Sequence, residues 1–221
     1  MENKEEQLEE MTNFFTARVD EYENHMLNNV EGCKEGYKKM ATLIPSNATK
    51  ILDLGCGTGL ELDEIFKLHP EISVTGVDLT QAMLDKLKAK HFDKKLDLRC
   101  NDYFKEDFGQ NIYDCAISFE TMHHFTHEKK ILLYTKIYNS LKENACYIEA
   151  DYMAESQDEE NFLFAENERL RKENNVKEGE FFHFDTPCTK ENQKMLLLKA
   201  GFKEVKEVFF LGGVTMLLAQ K

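Results

Sequence analysis

From residue 50 to the C-terminus, short apolar runs alternate with segments whose apolar positions recur every three to four residues. The first pattern belongs to a buried strand and the second to an amphipathic helix. Runs at 50–54, 73–78, 96–101, 113–118, 145–151, 202–210 and 214–220 predict strands, and stretches at 60–68, 81–90, 128–141 and 190–200 predict helices. Helices between consecutive strands act as crossovers, so the first five strands form a parallel sheet covered on both faces. The rhythm breaks at the end of the chain. Only Leu211, Gly212 and Gly213 separate the last two runs, so these pair as a hairpin and the final strand enters the sheet antiparallel.

Two segments stand outside this alternation. Residues 1–45 predict helices that stop before Pro45, and residues 152–188 form an acidic, Phe-rich insertion with nine Asp/Glu against four Lys/Arg between positions 155 and 180. Both are placed as covers over the carboxyl edge of the sheet, where open α/β folds bind ligands. The 221 residues thus read as a single domain: a helical cover (1–45), a ligand-binding core (46–151), a cover insertion (152–188) and a helix with a C-terminal hairpin (189–221).

Charge narrows the classes of partner. Lys and Arg total 28 against 41 Asp and Glu, a net charge of −13, and the only arginines are Arg18, Arg99, Arg169 and Arg171. A nucleic-acid-binding surface needs clustered cations, so none is expected. The most apolar stretch, 209–219, is broken by Gly212, Gly213 and Thr215 and is shorter than the ~17 residues of a membrane span. With an acidic start in place of a signal peptide, the expectation is a cytoplasmic protein with no membrane partner. The six cysteines are scattered without a C-x-x-C pair, as buried small hydrophobes rather than a zinc ribbon.

The strongest motif is Asp53-Leu54-Gly55-Cys56-Gly57-Thr58-Gly59, an apolar strand turning through glycines into a helix. Glycines there let the backbone turn sharply and let a ligand approach it. A dinucleotide fingerprint would place its third glycine one position later, where this chain has Leu60. Asp53, Glu61, Asp63 and Glu64 surround the helix start and oppose a phosphate, so the ligand is expected to be neutral or cationic at this edge. Asp78 ends the second strand, where a carboxylate grips a ribose diol. A nucleoside without a pyrophosphate, positively charged near Asp53, describes S-adenosylmethionine.

At these residues the chain resembles the class I S-adenosylmethionine-dependent methyltransferases, whose first motif is an acidic residue followed by Gly-x-Gly-x-Gly. The resemblance spans about residues 48–221 and includes the terminal antiparallel strand. It implies a Rossmann-like α/β fold: a seven-stranded, mostly parallel sheet with an antiparallel last strand and helices on both faces. It also implies an enzyme that uses S-adenosylmethionine and releases S-adenosylhomocysteine. On the family pattern, Asp53 and the loop Gly55, Cys56, Gly57 and Gly59 would hold the methionine part. Asp78 would hold the ribose and Leu79 one adenine face. Asn101, Asp102 and Tyr103 match the segment whose acid receives the adenine amino group, and Ser118 and Phe119 the segment beneath the sulfur. Arg18 and Tyr22 resemble a helix that closes over the cofactor, Tyr22 reaching the methionine carboxylate and Arg18 neutralising it.

Methyl transfer asks the protein for alignment, dryness and sometimes a base. His123, His124, Asp151 and His183 are the candidate bases, with His124, Asp151 and His183 carried forward as catalytic residues; the Thr121–Phe125 stretch also resembles a family signature that is more often architectural. His123 and His127 would share a face if their stretch were helical, but without a carboxylate or thiolate at matching spacing no metal site is assigned. The expected function is methyl transfer to a small-molecule acceptor. An RNA-modifying methyltransferase or a non-catalytic S-adenosylmethionine-binding protein are the alternatives.

Overall fold

The computed structural model describes residues 8–177 and 179–221. Residues 1–7 of the expected N-terminal cover lie outside it. The elements run α1 (Met11–Asn28), α2 (Cys33–Leu43), β1 (Lys50–Leu54), α3 (Leu60–Leu68), β2 (Ser73–Asp78), α4 (Gln81–Lys90), β3 (Lys95–Cys100), β4 (Tyr113–Phe119), α5 (His127–Ser140), β5 (Leu141–Asp151), α6 (Gln157–Glu173), α7 (Lys190–Lys199), β6 (Glu204–Leu211) and β7 (Val214–Gln220). One seven-stranded sheet has the order β3-β2-β1-β4-β5-β7-β6. β1 to β5 are parallel, and β7 runs antiparallel to both β5 and β6.

Period-two alternation divides the core between the two faces. Ile51, Val74, Cys115, Ile117 and Ile148 face α2, α3 and α4, while Leu52, Leu54, Ala116 and Tyr147 face α5 and α7. Local chemistry sets the helix starts. α3 begins at Gly59, whose φ of 76° lies in the left-handed region, and a Cβ there would sit 2.3 Å from Leu87. Ser156 caps α6 by accepting the Glu159 N–H at 3.1 Å, while the Glu159 carboxylate reaches back to the Glu155 N–H at 2.7 Å.

Most boundaries fall within one or two residues of the sequence pattern, and the largest difference is at β5. β5 begins at Leu141 rather than 145, because the chain turns directly from α5 and pairs Leu141 with Tyr113 across an irregular register. Lys142, Glu143 and Asn144 carry no apolar alternation that would reveal this. β3, an edge strand, begins one residue earlier than expected.

The two cover segments are tied to each other. The Met11 N–H donates to the Phe181 carbonyl at 3.0 Å and the His183 N–H to the Glu9 carbonyl at 2.9 Å, a short antiparallel bridge. α1 is also held to α4, where the Lys86 ammonium meets the Val19 carbonyl at 2.8 Å and Lys90 pairs with Glu23 at 3.0 Å. Among the described residues no helix is long and apolar enough to cross a membrane.

Candidate active site

The carboxyl ends of β1, β2 and β4 open onto a cavity. Gly55, Gly57, Asp78, Leu79, Asn101, Asp102, Tyr103 and Phe119 line it, under a roof of Met11, Phe15 and Tyr22 from α1 and Phe181 from the insertion. The glycine turn is built for close approach. A Cβ on Gly55 would meet the Thr121 and Tyr103 hydroxyls at 2.7 Å. One on Gly57 would have only the Gly55 carbonyl at 3.8 Å and Tyr22 at 3.9 Å beside it, so the floor is bare backbone facing the cavity.

Asp78 is organised by backbone donors: its Oδ2 accepts the Gly57 N–H at 3.0 Å and its Oδ1 the Thr80 N–H at 2.8 Å. Burial nevertheless raises its pKa above the ordinary carboxylate value, against these hydrogen bonds. Asp102 accepts the Phe104 N–H at 2.9 Å, and Asn101 donates to Glu106 at 2.7 Å. Phe119 packs on Tyr37, their ring centres 4.2 Å apart. A bare backbone floor, a strand-tip carboxylate and an aromatic roof fit a nucleoside with a flexible amino-acid tail.

Asp53, Cys56, Gly59 and Ser118 do not stand on the cavity wall. Asp53 is buried behind the loop against Glu61; burial and the mutual repulsion of the two carboxyls raise its pKa, and burial brings Glu61 up to about 7. The Cys56 thiol fills the space beside Gly76, Gly59 caps α3, and Ser118 pairs with the Tyr147 hydroxyl at 2.6 Å. The charge expected of the loop is also placed elsewhere. Asp63 pairs with Lys90 at 2.9 Å and lies 2.7 Å from His91, and Glu64 pairs with Lys67, so the carboxylates on the cavity wall are Asp78, Asp102 and Glu120. Arg18 pairs with Glu9 at 3.2 Å and stacks over Phe14, lining the neighbouring cavity rather than the cofactor cavity, and Phe15 and Tyr22 are the α1 residues shared by the two.

That neighbouring cavity is lined by Phe14, Phe15, Glu120, His123, His124, Tyr152, His183 and Asp185, and it shares Phe15, Tyr22, Glu120 and His124 with the first. Asp151 lies beneath it. Its Oδ1 meets His123 Nδ1 at 2.5 Å and its Oδ2 accepts the His123 N–H at 2.9 Å, so it acts on the site through His123. Burial alone would lower the His123 pKa, but Asp151, Asp185 and Glu120 outweigh it and hold it at about 9. Burial, with the His123 charge, pushes His124 down to about 4 and leaves it a neutral imidazole. Burial also lowers His183, whose ring stacks on Phe14 at 3.6 Å.

Three site residues escaped the sequence reading. Glu120 follows β4 with a φ of 50°, a conformation unusual for a non-glycine, and burial and then Asp151 raise its pKa to about 8. Its place just past an apolar strand end was the available signal. Asp185 and Tyr152 carried none, because each depends on how the insertion folds back. His123 and His127 do not share a helix face: His123 sits in a 3₁₀ turn, Phe125 is extended, and α5 starts at His127, which turns to Glu160 at 2.8 Å.

Residues 51–144 match the profile of a methyltransferase domain. The carboxy-S-adenosyl-L-methionine synthase of Campylobacter curvus is 26% identical over 196 residues, covering 82% of this chain and 81% of that one. A malonyl-[acyl-carrier protein] O-methyltransferase of Bacillus cereus is 26% identical over 144 residues, covering 65% of this chain and 49% of that one. The domain match and these relatives support a class I S-adenosylmethionine-dependent methyltransferase.

Solved structures share the fold of this methyltransferase. Human N-acetylserotonin methyltransferase in complex with S-adenosylmethionine superposes with a TM-score of 0.65 at 19% identity, covering 93% of this chain and 55% of that one. Streptomyces venezuelae DesVI superposes at 0.64 and 16% identity, covering 91% and 97%.

Proposed function

We propose that this enzyme transfers the methyl group of S-adenosylmethionine to a small-molecule acceptor held in the cavity of His123, His124, His183 and Tyr152. The observation that carries this reading is the roof: α1 and the 181–183 segment, bridged by backbone hydrogen bonds, cover both cavities at once. A covered, aromatic-walled pocket suits a small acceptor, since it excludes water and aligns the reacting atoms. When bound, S-adenosylmethionine supplies an activated methyl group. Asp78, the bare backbone at Gly57 and the Tyr22 ring would hold it, while Glu120 and His124, two of the four residues common to both cavities, would face the acceptor.

The test is release of S-adenosylhomocysteine from the purified enzyme offered fractionated metabolites. Turnover confined to the small-molecule fraction is the expected result; turnover only with RNA or protein would overturn it. A second reading is formation of carboxy-S-adenosyl-L-methionine, favoured because relatives of that name match more than four-fifths of the chain at 26% identity. Mass spectrometry of the nucleoside product separates the two: a heavier S-adenosylmethionine derivative in place of S-adenosylhomocysteine would select the second.

A further inference from the structure

Three groups of metal-ligating side chains stand close together among the described residues. In one, His127, Glu160 and Cys188, the Lys130 ammonium lies 3.2 Å from the Cys188 sulfur and 2.9 Å from Gln193, so a cation already fills it. In another, Glu120, His123 and Asp151, the 2.5 Å contact between His123 Nδ1 and Asp151 is a hydrogen bond and leaves no room for an ion. The third brings together His123 Nε2, His124 Nδ1 and an Asp185 oxygen, all within 4.8 Å of one another.

The spacing within this third group matches that of ligands around an ion. Asp185 Oδ1 lies 3.3 Å from His124 Nδ1 and 3.5 Å from His123 Nε2. Two donors each ~2.05 Å from a tetrahedral Zn²⁺ would stand about 3.3 Å apart. His124 Nδ1 and Asp185 Oδ1 are buried atoms with no hydrogen-bond partner, and the His124 side chain is only 4% exposed. Buried polar atoms without partners are costly and call for an explanation. The outer support is also present: Asp151 binds Nδ1 of His123 and thereby presents Nε2 to the group, the arrangement by which a carboxylate orients a ligating histidine.

We propose that His123, His124 and Asp185 form a site for a borderline divalent cation, of the Zn²⁺ or Fe²⁺ kind, on the acceptor side of the cofactor cavity. Two histidines and one carboxylate are a donor set suited to such ions. All three residues line the second cavity, so further coordination positions open toward the acceptor. There the cation would hold a hydroxyl or thiol of the acceptor and favour its deprotonated form. The site stands on its own geometry; its role in holding an acceptor rests on the methyl-transfer reading above.

The experiment is titration of the metal-stripped, untagged full-length chain with Co²⁺, followed by visible absorption and by elemental analysis after desalting. Uptake of about one ion per chain with d–d bands is expected. Asp185→Asn, a same-sized change at a side chain 38% exposed, should weaken binding at least ~100-fold, and Asp151→Asn by roughly 10- to 100-fold. His127→Ala and Cys188→Ser should leave it unchanged. Absence of stoichiometric uptake, or uptake abolished by His127→Ala and kept by Asp185→Asn, would overturn the proposal. Calorimetry with S-adenosylhomocysteine on the same samples isolates the cause: cofactor binding without metal uptake removes the cation site alone, whereas loss of cofactor binding by the wild type removes the cofactor reading itself.

Discussion

Replacing Asp78 tests the cofactor cradle most directly. An ionised carboxylate has about four lone-pair positions. Two are taken by the Gly57 and Thr80 N–H groups, at 3.0 and 2.8 Å, and the side chain lines the cavity with the rest. A ribose diol would occupy those, each hydrogen bond to the charged group contributing roughly 1.5–3 kcal/mol. Asp78→Ala removes both, a loss of roughly 3–6 kcal/mol or about 10²- to 10⁴-fold in affinity. It also leaves two backbone donors without their acceptor, so the variant should melt lower than wild type while keeping its secondary structure. Asp78→Asn keeps one carbonyl oxygen but points an amide at one of the two N–H groups, so its affinity should fall between the two. Titration calorimetry with S-adenosylhomocysteine, which cannot turn over, reads these affinities, and circular dichroism melts read the fold. If Asp78→Ala binds within ~3-fold of wild type, the diol is held elsewhere and the reasoning fails.

Gly55→Ala should lower the melting temperature by several degrees, because its Cβ would lie 2.7 Å from two hydroxyls at a φ of 72°. Gly57→Ala has room beside it and should cost only about 1–2 kcal/mol of stability, yet weaken S-adenosylhomocysteine at least ~10-fold by intruding on the cavity floor; unchanged affinity would place the ligand away from the loop. Hydrogen exchange should show α1 and residues 180–186 gaining protection together when S-adenosylhomocysteine binds, since they share backbone hydrogen bonds; protection confined to the 55–59 loop would mean an open site. Glu61→Gln should alter the pH dependence of stability. Because burial raises the folded-state pKa of Glu61 to about 7 from 4.5, its contribution is fully present below about pH 4.5 and lost as pH rises through 7. The variant should therefore gain on the order of 1–3 kcal/mol over wild type at pH 8 relative to pH 5, and an equal difference at both would refute the assignment.

The strand and helix order, the glycine turn and the strand-tip carboxylate were legible in the chain because each is decided by near neighbours. Alternating Ile51 and Leu52 places one residue on each face of the sheet whatever the rest of the molecule does. The left-handed turn at Gly55, Gly57 and Gly59 is likewise a property of those residues. Arg18 shows where local reading stops. Its helix is where the pattern put it, but Glu9 and Phe14 capture the guanidinium, and nothing in the spacing of Arg18 and Tyr22 foretells that. Asp53 sits at the expected strand position, yet close packing against Glu61 withdraws it from the cavity.

The acceptor side depended on tertiary structure altogether. His123 meets Asp151 because β4 and β5 are adjacent parallel strands whose ends coincide, and it meets Asp185 because the insertion returns across the sheet edge to pair with residues 9–11. Periodicity specifies which face a residue occupies, but not which distant carboxylate will share that face. That choice was left to the return path of the chain, and with it the electrostatics of His123, His124 and Glu120, since burial and the proximity of charges exist only once the segments have packed.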